Sequence, residues 1–137
     1  MAIAKSHSTD PADFPSKKGK RVLIVEDDAS LSRLLAITFK LKFPHHSLRV
    51  THSGKETLEA IREQKPDILM VDIGLPDMSG LELARKCREL PGMSDVQLYS
   101  LSGRGEPKDF LASKRAGFKG HLVKPVDMEV LDKFFRD

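Results

Sequence analysis

From Arg21 onward the chain repeats one pattern five times: a short run rich in Val, Ile and Leu, a turn signal, then a stretch with helical spacing. Short runs that alternate with amphipathic stretches predict βα units and a parallel sheet, not a helical bundle or a β-sandwich. The runs are about Arg21–Val25, Ser47–Thr51, Asp67–Val71, Val96–Leu101 and Gly120–Val123. Parallel strands place their carboxyl ends on one edge of a sheet, so residues distant in sequence converge there. Four of the runs end on groups suited to one phosphate-and-metal site: Glu26-Asp27, Asp72, Ser102 and Lys124.

The spacing between runs predicts the helices. The first spans about Ser30 to Lys42, with Leu31, Leu34, Leu35, Thr38 and Phe39 on its apolar face, and Pro44 closes the connection. The second run is the most polar and suits a sheet edge. Ser53-Gly54-Lys55-Glu56 and Ser79-Gly80-Leu81-Glu82 both read as capping boxes, in which side chains satisfy the orphan amides of a helix start. The second helix buries Leu58 and Ile61, and the third runs to about Leu90 before Pro91-Gly92 breaks it. Pro107 opens a short fourth helix that Gly117 terminates, and Asp127 caps a last one carrying Leu131, Phe134 and Phe135. Residues 1–20 hold only Ile3 and Phe14 as bulky apolar groups, which predicts a flexible leader ahead of one folded domain over 21–137.

Composition removes several functions. The net charge is +3, and residues 1–20 contribute +2 of it, so the folded part is nearly neutral and lacks the basic footprint of a nucleic-acid binder. The apolar runs fall far short of a membrane span, which predicts a soluble protein without membrane contact. The single Cys87 cannot form an internal disulfide and the first residues hold no long apolar segment, so a cytoplasmic location is expected. Cys87 falls on the Leu83, Cys87, Leu90 face of the third helix and reads as core. His45-His46 follow Pro44 in a polar connection and read as a solvated turn. No glycine-rich nucleotide loop follows the first run.

Each candidate residue has a functional and a structural reading. Glu26, Asp27 and Asp28 crowd three carboxylates at a strand end, where repulsion calls for a cation; alternatively they form a first helical turn and complement its dipole, Asp28 most readily. Mg²⁺ suits such a site, since one or two carboxylates and a phosphate oxygen satisfy it. Asp72 emerges from an apolar run, where a carboxylate can accept a phosphoryl group, or it is a turn residue before Gly74 and Pro76. Ser102 can bond a phosphoryl oxygen, or simply form a turn with Gly103. Lys124 either pairs with the carboxylates or snorkels to solvent.

Leu-Ile-Val-Glu-Asp-Asp at 23–28, Met-Val-Asp-Ile-Gly-Leu-Pro-Asp-Met-Ser-Gly at 70–80, Leu-Ser-Gly at 101–103 and His-Leu-Val-Lys-Pro at 121–125 together resemble a receiver domain of the two-component response-regulator family. The resemblance covers Arg21 to the C-terminus. It implies a flavodoxin-like, doubly wound (βα)5 fold with sheet order 2-1-3-4-5, an order that the family itself illustrates. It implies that Asp72 accepts a phosphoryl group from a phosphohistidine on a histidine kinase or phosphotransfer protein. Asp27, Asp72 and the Gly74 carbonyl would hold Mg²⁺, with Glu26 acting through water. Lys124 would pair with Asp72 and precede a cis bond to Pro125, and Ser102 would move toward the phosphoryl oxygen. The switch position three before the lysine is usually aromatic. Here it is His121, which puts the usual aromatic coupling to Ser102 in question and predicts a pH-sensitive readout.

The leading expectation is a phospho-acceptor switch that changes the face from strand four to helix five for partner binding. The reading expects no output domain after that helix, with the signal leaving through protein contact or through a parent protein, and the wording at 101–103 and 121–127 is similar to receivers joined to hybrid histidine kinases as well as to stand-alone ones. The exposed side of the last helix offers a surface for a homodimer. Two other classes remain open: a hydrolase or phosphatase with an aspartyl-phosphate intermediate, and a constitutive docking module. Haloacid-dehalogenase-like enzymes carry Asp-x-Asp after their first strand, whereas Asp72-Ile73-Gly74 follows the third and lacks the second Asp.

Overall fold

The computed structural model describes residues 19–103 and 110–136, with the side chains of 110–112 excepted. Five strands, β1 (Arg21–Val25), β2 (Ser47–Thr51), β3 (Ile68–Asp72), β4 (Gln97–Ser102) and β5 (Phe118–Val123), alternate with α1 (Ala29–Lys42), α2 (Gly54–Glu63), α3 (Gly80–Glu89), α4 (Phe110–Arg115) and α5 (Met128–Arg136). All the pairings are parallel and the order is β2-β1-β3-β4-β5, as expected, with the polar β2 at an edge. Both sheet faces are covered, and the twofold alternation of the strands divides the core accordingly. Leu23, Val25, Leu69, Val71 and Leu98 pack with Ala60 and Ile61 of α2 and Leu83 and Cys87 of α3. Val22, Ile24, Ile68, Met70 and Leu101 pack with Leu35 and Phe39 of α1 and Leu131 and Phe135 of α5. Burial in the first of these layers pushes the Cys87 thiol up to about 12, so it is inert core, as its helix face predicts.

Several boundaries differ from expectation by one or two residues. β3 begins and ends one residue later than predicted, and so does β4, so Asp72 and Ser102 are the last residues of their strands and not loop residues. β5 starts earlier, at Phe118, because Phe118 pairs with Leu98 before a register shift at Leu98/Tyr99. On α1 the buried side runs Ser32, Leu35, Phe39, and Leu34 is 54% exposed instead of buried. Leu35 and Phe39, four apart, follow the helical repeat toward the sheet, while Leu34 is turned about 100° away from Leu35.

The helix starts are built largely as predicted. Ser53 Oγ accepts from Glu56 N and Ser79 Oγ from Glu82 N, each at 3.1 Å. The first capping box closes differently, since Glu56 Oε1 reaches the amide of His52, at 2.8 Å, one residue beyond the cap. Asp127 Oδ1 accepts from Glu129 N at 2.8 Å, and Gly117, at φ +95, ends the turn after α4. Pro107 and the leader up to residue 18 lie outside the described residues. Lys20 does not: its amide donates to His46 Nδ1 at 2.8 Å and its carbonyl accepts from Ser47 N at 3.0 Å. His46 is accordingly more than a solvated turn. Its ring lies 4.5 Å from Phe135 and 5.7 Å from Phe43, and burial, with help from His45 and Lys20, lowers its pKa. Among the described residues no helix is long and apolar enough to cross a membrane.

Candidate functional site

The carboxyl edge of the sheet gathers the predicted residues. Glu26 extends β1 by one residue, its amide donating to Thr51 O at 2.9 Å, and its side chain is fully buried. Lys124 extends β5 in the same way, its amide donating to Ser102 O at 2.8 Å. Its ammonium then donates to Asp72 Oδ2 at 2.7 Å and to Glu26 Oε1 at 3.2 Å. The other carboxylate oxygens take backbone donors: Glu26 Oε2 accepts from Asp28 N and Asp72 Oδ1 from Gly74 N, each at 3.0 Å. The Lys124–Pro125 bond is cis, as the resemblance implies.

Asp27 is exposed, and its carboxylate completes a cluster in which one oxygen each from Glu26, Asp27 and Asp72 lies within 4.8 Å of the others. Asp28 takes the structural reading: its Oδ1 accepts from Leu31 N at 2.9 Å as the cap of α1. Among the described residues three carboxylates face one ammonium, an excess of negative charge. Desolvation raises the pKa of Glu26, against the pull of the Asp28 amide and Lys124, and the neighbouring Asp72 raises it further. Burial works against the Lys124 ammonium as well, but the hydrogen bond and charge of Asp72, with those of Glu26, outweigh it and hold its pKa above the ordinary value. This hard, all-oxygen donor set could hold a divalent metal ion.

The loop after Asp72 is held from two sides. Gly80 N donates to Ile73 O at 2.9 Å, and a Cβ on Gly80 would stand 2.7 Å from the Asp72 carbonyl oxygen, so no larger residue fits without displacing the end of β3. Asp77 crosses to the start of α2, where its carboxylate accepts from Gly54 N at 2.9 Å and Lys55 N at 3.0 Å. These amides, Gly54 first, lower the Asp77 pKa, and the contact was not legible in the sequence because it joins two loops 23 residues apart.

Ser102 and His121 meet directly, in polar form. His121 Nε2 lies 2.8 Å from Ser102 Oγ, and Nδ1 lies 2.7 Å from Ser100 Oγ. At this position the imidazole forms a hydrogen-bonded bridge between two serines of β4. The twofold alternation of β4 carried the signal for Ser100, since it shares a face with Ser102.

Comparison with known proteins agrees with this geometry. The family model "Response regulator receiver domain" matches residues 22–136. An uncharacterized 14.6 kDa protein of Leptolyngbya boryana is 33% identical over 106 residues, covering 77% of this chain and 79% of its own length. The DNA-binding response regulator MtrA of Mycobacterium tuberculosis is 32% identical over 106 residues, 77% of this chain but only 44% of MtrA, so the chain spans less than half of that relative. Among solved structures, a CheY-like receiver domain from Methylobacillus flagellatus superposes with a TM-score of 0.73 at 28% identity, covering 87% of this chain and 98% of that one. With its five parallel strands in the order 2-1-3-4-5 and its acidic pocket at their carboxyl ends, the chain belongs to the response regulator receiver domain family.

Proposed function

We propose that the chain is a phospho-acceptor switch in which Asp72 takes a phosphoryl group from a phosphohistidine on a histidine kinase or phosphotransfer protein. The observation that carries this reading is the Asp72 carboxylate at the end of a central strand, oriented by Gly74 N on one oxygen and Lys124 on the other. One Asp72 oxygen attacks phosphorus as the P–N bond of the phosphohistidine breaks, and the departing imidazole takes a proton from solvent. Lys124 then faces the added charge, and Ser102 turns its hydroxyl to a phosphoryl oxygen. Asp27, Asp72 and the Gly74 carbonyl would hold Mg²⁺, with Glu26 acting through water. Bound there, the ion would offset charge on the transferring group.

The α1 helix supplies ground for the donor protein. It starts at the pocket, and Leu34, Ile37 and Leu41 form an exposed apolar stripe along it, 54%, 59% and 79% accessible. Incubation with a small phosphodonor and Mg²⁺, read by intact mass, is expected to give one phosphoryl adduct in wild type and none in Asp72→Asn. An adduct retained by the variant sinks the assignment.

The raised pKa of Glu26 gives the site a pH dependence. The folded state favours its neutral form, so its contribution to stability is fully present below the ordinary carboxylate pKa and is lost as pH rises through the raised value. Cation binding favours the charged form, so Mg²⁺ affinity strengthens over that same interval. Calorimetric titration with Mg²⁺ from about pH 4.5 to 7 tests this, and Glu26→Gln flattens the profile.

A further inference from the structure

The hydroxyl of Ser102 has one hydrogen, and in the free protein His121 competes for it. Ser100 Oγ also approaches Gly120 O at 3.5 Å, and when its hydrogen points to that carbonyl its oxygen accepts from His121 Nδ1–H. A neutral imidazole protonated on Nδ1 has a bare Nε2, and that atom takes the Ser102 hydrogen across 2.8 Å. The chain then runs from the Ser102 hydroxyl to Nε2, and from Nδ1–H to Ser100 Oγ. In this polarity Ser102 has no hydrogen left for a phosphoryl oxygen.

We infer that His121 is a positioning residue whose proton uptake at Nε2 accompanies phosphoryl binding: the imidazolium donates to Ser102 Oγ and frees the Ser102 hydrogen for the phosphoryl oxygen. The inference rests on the reading of Asp72 as acceptor and adds the proton that this reading leaves out. The hydrogen count closes. Ser102 turns its one hydrogen from Nε2 to the phosphoryl group, a solvent proton occupies Nε2, and Nδ1–H stays on Ser100. His121 reaches solvent through a shallow cavity that it shares with Ser100, Ser113, Lys114, Phe118 and Lys119. Lys114 from α4 and Lys119 from β5 are the described charges lining that cavity, and both oppose an imidazolium. From the β4 side, beyond Ser102, an arriving phosphoryl dianion favours one. Uptake is thereby tied to phosphorylation and not merely to acidity. The coupling is reciprocal, so acid conditions favour the phosphorylated arrangement.

The test uses the wild-type protein, with beryllofluoride and Mg²⁺ as the phosphoryl mimic and imidazole nitrogen NMR as the readout, the His121 ring being assigned through its backbone. The expected free state is the neutral Nδ1–H tautomer. Adding the mimic raises the His121 pKa by about one unit or more, equivalent to about tenfold tighter mimic binding to the protonated form. His121→Gln keeps a polar side chain that cannot titrate, and mimic affinity in it loses this pH dependence relative to wild type. An unchanged or lowered His121 pKa in a protein that binds the mimic overturns the inference and leaves the acceptor site standing. No binding of the mimic at any pH overturns the reading of Asp72 and the inference with it.

Discussion

Lys124→Met is expected to cost the metal-free protein about 2–4 kcal/mol of stability, because it leaves two buried carboxylates without their ammonium. Glu26 is fully buried and Asp72 is 3% exposed, and both oxygens that Lys124 now contacts, at 3.2 and 2.7 Å, would lose their charged donor. Protonation of Glu26 limits the damage, since burial already favours its neutral form. A divalent cation replaces part of the lost charge, so Mg²⁺ should stabilise the variant more than wild type. Urea unfolding in chelator and in Mg²⁺ measures both effects. An unchanged midpoint in chelator would mean that Lys124 is not needed to balance the buried acids. Loss of the ammonium also removes the group that faces the phosphoryl charge, so adduct formation should fall in the same variant.

The second large effect lies at the other end of the molecule. Phe39 is 2% exposed, and its ring meets Phe43 at 5.2 Å and Phe135, edge-on, at 6.0 Å. These rings fasten α1 to α5, and Phe39→Ala should cost about 3–5 kcal/mol by opening a cavity that neither helix can close without sliding on the sheet. Since the carboxyl-edge groups keep their strand positions, the variant should still accept a phosphoryl group under conditions where it is folded. A loss below about 1 kcal/mol would show that the aromatic cluster collapses to refill the space.

The βα repeat made the sheet order and the convergence of Glu26, Asp27, Asp72, Ser102 and Lys124 legible before any coordinates, because strand polarity alone determines which edge a following residue occupies. Asp28 stood out from its neighbours as the acid best placed to start a helix, and the bond that its carboxylate accepts from Leu31 N bears this out. Leu34 was misplaced because a leucine at i+3 fits a helical stripe as well as one at i+4, and the sheet selects only the Leu35–Phe39 side. The Asp77 contact with α2 and the ring of His46 on Phe135 both depend on tertiary proximity between separate segments, which periodicity within a segment does not carry. His121 was visible as a departure from an aromatic position. Its bridge to two serines required the register that sets Ser100 against it.

The central claim is that the acyl phosphate forms on Asp72, and chemical trapping tests it without any substitution. An acyl phosphate is reduced by borohydride to an alcohol, so a phosphorylated aspartate becomes homoserine at its own position. Wild-type protein treated with a small phosphodonor and Mg²⁺, then reduced, digested and sequenced by mass spectrometry, should carry homoserine at position 72. Homoserine at Asp27 or any other aspartate, or a phosphoryl adduct that survives reduction, would contradict the assignment of Asp72 as the acceptor.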